Sequence, residues 1–177
     1  MIMTDGERLA ALERFAPVAA ERLDRQFAAT EPEDFVRHMA EKYRMGVAIA
    51  GFNYTFGSRG AGNMDTLCRL EVYEIPALMY GGEPVSSTRI RACIERGDIA
   101  GANAMLGHEL ELSCKETSQN GHAVLKVADG LVLPAPGRYI TEAEGRRLVC
   151  GVLPGGSIEP EEPLRGIKKL RFIGRIG

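Results

Sequence analysis

Val47-Ala48-Ile49-Ala50-Gly51 runs directly into Phe52-Asn53-Tyr54-Thr55-Phe56-Gly57-Ser58-Arg59-Gly60-Ala61-Gly62. The first part is a short continuous apolar run behind a glycine, which suits a strand buried on both faces of a parallel sheet. The second part reads as a loop rich in Gly, Ser and Asn. In an open α/β sheet, ligands bind beyond the carboxyl ends of the strands, and this loop falls at such an end. Its glycines let backbone N–H groups approach a ligand closely. Ser58 and Arg59 can add contacts to a phosphate. Tyr54 and Phe56 alternate with polar residues, so the loop can hold a flat ring or pack its aromatics onto the core. The loop is neither a Walker A motif nor a true Gly-x-Gly-x-x-Gly.

Working outward, the elements around this strand are mostly helical. Thr4-Asp5-Gly6-Glu7 is a capping box that opens a helix with Leu9, Leu12 and Phe15 on its apolar side. Val18 to Ala20 reads as a short strand, but Glu21 to Arg25 is equally helical. Thr30-Glu31-Pro32-Glu33 is a second capping box. Phe35, Met39 and Tyr43 follow at four-residue spacing, which predicts an amphipathic helix over 31–44. Asn63 can cap a brief helix carrying Leu67 and Leu70. Glu71 to Ile75 reads as a further strand, and Gly81-Gly82-Glu83-Pro84 as a turn.

Val85-Ser86-Ser87-Thr88-Arg89-Ile90-Arg91 starts the next helix. Ile90, Cys93 and Ile94 give it an apolar face, and Gly97 closes it. The hydroxyls can cap exposed N–H groups, and the helix N-terminus favours an anion. Arginines beside such a terminus suit a phosphate. Taken alone, the run equally describes a capped surface helix with two solvated arginines. Asp98 starts one more helix, with Ile99, Ala102, Met105 and Leu106 inward and Gly107 as its stop.

Near Leu110 the helical periodicity ends. Short β-prone pieces remain at Leu110–Cys114, Ala123–Val127, Leu131–Leu133, Arg147–Leu153 and Leu170–Ile173, with Gly and Pro turns between them. That spacing predicts a small antiparallel barrel or sandwich. The expected architecture is α/β, a partial parallel sheet with helices, followed by a small antiparallel β-barrel-like domain, with a boundary at about residue 108.

Composition sets the outer bounds. The chain has 177 residues and a net charge of −2, which argues against generic nucleic-acid binding. No apolar run has the length of a membrane span, and the first residues lack the pattern of a secretory signal. Cys68, Cys93, Cys114 and Cys150 form no CxxC pair, and they read as reduced thiols of a cytoplasmic protein. His38, His108 and His122 have no sequence-local partner and read as surface or half-buried residues. No metal-ligand set is read from the sequence.

The glycine loop, the Ser-Ser-Thr helix start, Gly97-Asp98-Ile99 and Leu106-Gly107 together resemble the bacterial FAD synthetases, the bifunctional riboflavin kinase/FMN adenylyltransferases. Order and intervals fit across roughly residues 4–112, and Thr30 to Val36 resembles the acidic segment before that family's "FV" helix. The resemblance implies an adenylyltransferase domain of the nucleotidyltransferase type over residues 1–108. Its reaction is ATP + FMN → FAD + diphosphate, with Mg2+. By that resemblance Arg91, Ser87 and Thr88 are the catalytic candidates, holding the leaving phosphates together with Ser86 and Arg89. Asn53, Phe56, Gly57, Arg59, Gly60 and Gly62 are the candidates for holding FMN or the nucleotide. Small-molecule substrates are the implied partners, with no nucleic acid and no membrane.

Two departures qualify this. The family's Gly-x-Phe-Asp-Gly-x-His-x-Gly-His loop does not occur in the chain. The resemblance then implies a reading frame that starts past the family's first strand, or a reduced protein that binds flavin or adenine nucleotide without turnover. On either reading, little or no FAD synthesis and no riboflavin phosphorylation are expected of these residues alone. The Gly-Arg-x-x-Gly-Phe-Pro-Thr-Ala-Asn segment of the kinase module is also absent. Residues 109–177 therefore read as a degenerate riboflavin-kinase-like β domain, whose Pro134-Ala135-Pro136-Gly137-Arg138-Tyr139 resembles that module's "Pro-x-Gly-x-Tyr" turn.

Overall fold

A computed structural model describes residues 1–68, 70–119, 122–162 and 166–177, leaving aside the side chains of Gln119 and His122. In chain order its elements are α1 (Asp5–Glu13), α2 (Arg25–Ala28), α3 (Pro32–Tyr43), β1 (Val47–Gly51), β2 (Glu71–Ile75), β3 (Met79–Tyr80) and β4 (Glu83–Pro84). They continue as α4 (Ser87–Glu95), α5 (Ile99–Leu106), β5 (Leu110–Gln119), β6 (His122–Val127), β7 (Gly137–Ala143), β8 (Arg146–Val152), β9 (Ser157–Pro160) and β10 (Lys169–Arg175). Two compact units result: Met1–Val18 with Val85–Gly177, and Ala19–Pro84.

In the first unit, period-two alternation closes a barrel in the order β10-β5-β6-β9-β8-β7. Tyr139, Thr141 and Ala143 of β7, Leu148, Cys150 and Val152 of β8, and Leu170 and Phe172 of β10 are all buried. Thr141 is the buried polar residue among the described residues, and its Oγ1 donates to the Leu148 carbonyl at 3.1 Å. The β7–β8 hairpin turns on Glu144 (φ 49°) and Gly145 (φ 75°), the paired left-handed conformations of a two-residue type I′ turn. β10 closes the barrel between β5 and β7, with a register shift between Phe172 and Gly174. None of the four cysteines is in a disulfide, and burial pushes the Cys114 thiol up to about 11.

The expected barrel is present, with two corrections to its strands. Leu131–Leu133 is irregular rather than a strand, and its side chains pack on the barrel core from outside the ladder. The segment resembling a turn supplies a strand, β7, as soon as Gly137 is passed. The unit also reaches back beyond residue 108. Ile90, Cys93 and Ile94 of α4, with Ile99, Ala102 and Met105 of α5, share one core with Leu112, Tyr139 and Phe172. Asn103 fixes α5 to the barrel, its Nδ2 donating to the Phe172 carbonyl (3.0 Å) and its Oδ1 accepting from the Leu110 N–H (2.8 Å).

α1 opens on the expected capping box and is held to β5 by the Ser113 hydroxyl, which donates to Glu7 at 2.6 Å. Burial raises the Glu7 carboxyl, but hydrogen bonds from Ser113 and Thr4 and the charge of Lys169 outweigh it and hold the group below its ordinary range. The expected apolar side of α1 is not buried: Leu12 and Phe15 are exposed.

In the second unit, α3 starts one residue later than expected and without the expected box. Glu31 is its N-cap with no side-chain cap bond, Pro32 takes the first turn, and Thr30 Oγ1 donates back to the Gln26 carbonyl (3.4 Å). Val18 to Ala20 forms no strand, and the helical alternative is realised only as α2, capped by Asp24. β1 and β2 pair in parallel, in the register Val47↔Glu71 through Gly51↔Ile75. The sheet is not buried on both faces. Ala48 is buried with Val36, Phe56 and Leu67, whereas Ile49 is 68% exposed on the other face. Gly81 and Gly82, at φ 62° and 81°, turn β3 into β4. Glu21 accepts from Lys42, Tyr43 and His38, and these bonds, Lys42 first, lower its carboxyl to about 2.

Candidate functional site

The amino end of α4 is built by Ser86. Its backbone is extended (φ −147°, ψ 154°), its Oγ accepts from the Arg89 N–H at 3.3 Å, and its carbonyl accepts from the Ile90 N–H at 3.0 Å. Those bonds use two of the first-turn donors. The N–H groups of Ser87 and Thr88 precede any carbonyl the helix can offer them. Ser86, Ser87 and Thr88 are exposed, while Arg89 and Arg91 are half-buried. Arg91 Nη2 donates to Thr88 Oγ1 at 3.1 Å, which orients the guanidinium beside the helix start. Hydroxyls, amide donors, a helix dipole and a guanidinium thus converge within one turn, the chemistry that receives a phosphate.

The carboxyl end of α4 is fixed more tightly than the sequence indicates. Gly97, at φ 80°, ends the helix, and a Cβ there would lie 2.6 Å from Arg175 Nη1 and 2.8 Å from Tyr139 Oη. Arg175 donates to the carbonyls of Arg96 (3.3 Å) and Pro136 (3.1 Å) and lies over the Tyr139 ring. Asp98 caps α5 through the Gly101 N–H (2.9 Å), and that bond is the main cause holding its carboxyl below the ordinary range. Asn103 and Arg175 were not site candidates in the sequence, since their partners lie far along the chain.

The glycine loop belongs to the second unit. Phe56 is its pivot: buried at 6% exposure, 5.0 Å from the Phe35 ring and 5.6 Å from the stacked Tyr54 ring. The Phe56 and Gly62 backbones exchange hydrogen bonds of 3.1 and 2.9 Å, closing the loop on itself. A Cβ at Gly62 would fall 2.6 Å from the Phe56 ring, so glycine is required there by close approach. Gly57 is at φ 71°, where a Cβ would lie 3.0 Å from Pro32, and the Ser58 N–H donates to the Thr30 carbonyl at 2.7 Å. The Thr30–Pro32 segment therefore buttresses the loop, a role its sequence did not suggest. Asn53, Arg59 and Gly60 are exposed, and Arg59 adopts a left-handed conformation (φ 55°). Of the two aromatic alternatives, Phe56 packs on the core, while Tyr54 is 40% exposed.

A cavity of about 800 Å³ opens elsewhere in the barrel unit, with Glu7, Arg14, His108, Glu111, Lys169 and Arg171 among its walls. None of the candidate residues lines it, and two of its cations, Lys169 and Arg171, are paired with carboxylates. His38 bonds Glu21 and His108 bonds the Glu109 carbonyl; the His122 side chain lies outside the described residues. Among the described residues no group of three or more His, Cys, Asp or Glu side chains could hold a metal ion, and no helix is long and apolar enough to cross a membrane.

Comparison with known proteins gives the following. A family model described as FAD synthetase matches residues 1–89. The chain is 30% identical over 124 residues to an FAD synthetase of Listeria monocytogenes, covering 67% of this chain and 49% of that protein. It is 32% identical over 92 residues to a bifunctional riboflavin kinase/FMN adenylyltransferase of the same organism, covering 49% of this chain and 29% of that protein. A chloroplastic FAD synthetase of Arabidopsis thaliana is 27% identical over 139 residues, covering 63% of this chain and 39% of that protein. The chain thus spans half or less of these relatives' lengths. A crystal structure described as a macrolide-efflux protein from Streptococcus pneumoniae superposes with a TM-score of 0.82 at 24% identity, covering 98% of this chain and 66% of that one. At that identity the likeness is one of fold.

Proposed function

The chain belongs to the FAD synthetase family, and from that premise we propose that it serves the transfer of AMP from ATP to FMN. In that reaction an oxygen of the flavin phosphate forms a bond to the α-phosphorus of ATP. The bond from that phosphorus to the bridging oxygen breaks, and diphosphate leaves with the electron pair. Such chemistry rests on positioning and charge neutralisation, not on a covalent protein intermediate. The observation that carries the proposal is the α4 start, where Arg91 stands bonded to Thr88 beside exposed Ser86 and Ser87.

The roles divide as follows. Ser87, Thr88 and Arg91 hold the phosphates that leave, with Ser86 shaping the turn and Arg89 adding charge. Asn53, Arg59 and the backbone of Gly57, Gly60 and Gly62 hold FMN or the nucleotide. Phe56 acts from within, as the pivot that fixes the loop. Mg2+ arrives with the ATP phosphates, since an ion that keeps several waters and binds through phosphate needs no protein cage. Residues 1–108 supply the adenylyltransferase-like part, and 109–177 a riboflavin-kinase-like β domain. The setting is the cytoplasm, with small-molecule substrates and no nucleic acid.

Titration calorimetry with ATP and with inorganic diphosphate tests the reading. A charge-assisted hydrogen bond contributes about 1.5–3 kcal/mol, so Arg91→Ala is expected to weaken both ligands about 10-fold to 100-fold. The circular dichroism spectrum should not change. Equal affinity in the variant and the parent would overturn the phosphate role of α4.

A further inference from the structure

Arg175, at the end of β10, sets its guanidinium between two segments far from it in sequence. Nη1 donates to the carbonyl of Arg96, the C-cap of α4, at 3.3 Å. Nη2 donates at 3.1 Å to the carbonyl of Pro136, which directly precedes β7. The guanidinium carbon lies 5.8 Å from the centroid of the buried Tyr139 ring, whose hydroxyl donates to the Ala135 carbonyl at 2.6 Å. One side chain thus ties the carboxyl end of α4 to the barrel wall.

The seat fits this group and little else. A Cβ at Gly97 would stand 2.6 Å from Nη1, and one at Gly137 would stand 3.0 Å from Nη2. Two glycines from separate segments therefore make room for one guanidinium. Its planar fork reaches two carbonyls at once, which the point charge of a lysine does not do. The carbonyl end of a helix also favours a cation through the helix dipole.

α4 has 9 residues, so its ends are about 14 Å apart. That exceeds the Debye length of about 8–10 Å at ordinary salt, so direct attraction from Arg175 to a phosphate at the amino end is screened. Any influence on that end travels through the placement of the helix. Ile90, Cys93 and Ile94 bury one face of α4 in the barrel core, but apolar burial is non-directional. Hydrogen bonds constrain distance and angle. We infer that Arg175 is a positioning residue for the phosphate end of α4. By holding the Arg96 carbonyl it sets the rotation and axial position of the helix, and so where Arg91 and the first-turn N–H groups stand. The inference rests on the phosphate reading of α4 proposed above.

The test is calorimetric titration of inorganic diphosphate into the full chain, its Arg175→Lys and Arg91→Ala variants, and the double variant. Lysine keeps the charge and loses the fork. Arg175→Lys should weaken diphosphate about 10-fold to 100-fold, the scale of a displacement of about 1 Å in a positioning site, with an unchanged circular dichroism spectrum. On the Arg91→Ala background the same change should weaken it less than about threefold, because residues that act through one another are not additive. Arg175→Gln, which removes the charge and keeps a donor, is the second variant and should show the same loss and the same coupling. Parental affinity in either folded Arg175 variant, with Arg91→Ala weakened, would overturn the inference and leave the phosphate reading standing. Equal losses on the two backgrounds would make Arg175 a fold contact only and overturn the inference as well. A parent that does not bind diphosphate, or parental affinity in Arg91→Ala, would overturn both.

Discussion

Truncating Phe56 to alanine tests whether the glycine loop rests on a core of its own. The ring is 6% exposed and packs against Phe35 and Tyr54, with Gly62 pressed on its edge. Phe→Ala in such a site costs about 3–5 kcal/mol, a transfer loss plus the cavity left behind. Among the described residues the buried members of that core are Val36, Ala48, Phe56 and Leu67. A unit of this length has roughly 3–10 kcal/mol of stability in total, so Phe56→Ala removes from a third of it to all of it. Among the described residues that core contains no barrel residue, so the loss should stay local. Hydrogen exchange read by mass spectrometry is the assay. Amides around Val36, Ala48 and Leu67 should exchange roughly 100-fold to 4,000-fold faster, at about 1.4 kcal/mol per decade. Amides around Leu112, Cys150 and Phe172 should keep their rates. Acceleration below tenfold in the first group, or equal acceleration in both, would refute the reasoning.

Two further outcomes follow from single contacts. Gly97→Ala forces an L residue to φ 80° and drives a Cβ onto Arg175 and Tyr139; strain of that kind costs about 1–3 kcal/mol, and an unchanged denaturant midpoint for the barrel unit would count against it. Glu21, lowered from its ordinary 4.5 to about 2 by Lys42, Tyr43 and His38, favours the folded state above pH 4.5 and loses that contribution as pH falls through about 2; the Tyr43 ring signals in an NMR pH titration should shift in that window, and a transition centred above pH 4.5 would exclude the assignment.

The helices and the barrel were legible because their signals are local. The Thr4–Glu7 box, the Gly97 and Gly107 stops and the four-residue spacing of Phe35, Met39 and Tyr43 each act within one or two turns. The Thr30 box failed for a physical reason: Pro32 at the first turn and the bond from Thr30 to Gln26 leave Glu31 as the cap. Burial was less legible than element type. The run Val47–Gly51 is apolar throughout, and composition alone cannot distinguish a strand covered twice from one covered once. Leu131–Leu133 misled in the opposite sense, since its side chains are packed while its backbone, followed by Pro134 and Pro136, joins no ladder.

The capped start of α4, where the phosphate site is proposed, was legible because capping hydroxyls and arginines sit within a few residues of one another. What the sequence could not convey is how that helix is held. Its apolar face, Ile90, Cys93 and Ile94, belongs to the barrel's core, and Arg175 clasps its carboxyl end from the last strand. Asn103 locks the following helix to β5 and β10. The phosphate site proposed there would need a helix that does not rotate or slide, because a displacement of about 1 Å in a positioning site costs on the order of 100-fold. The barrel provides that rigidity. On the proposed reading the β domain, without the kinase segment, serves as the platform on which the Ser86–Arg91 turn is held, since α4 and α5 pack with the barrel in one compact unit.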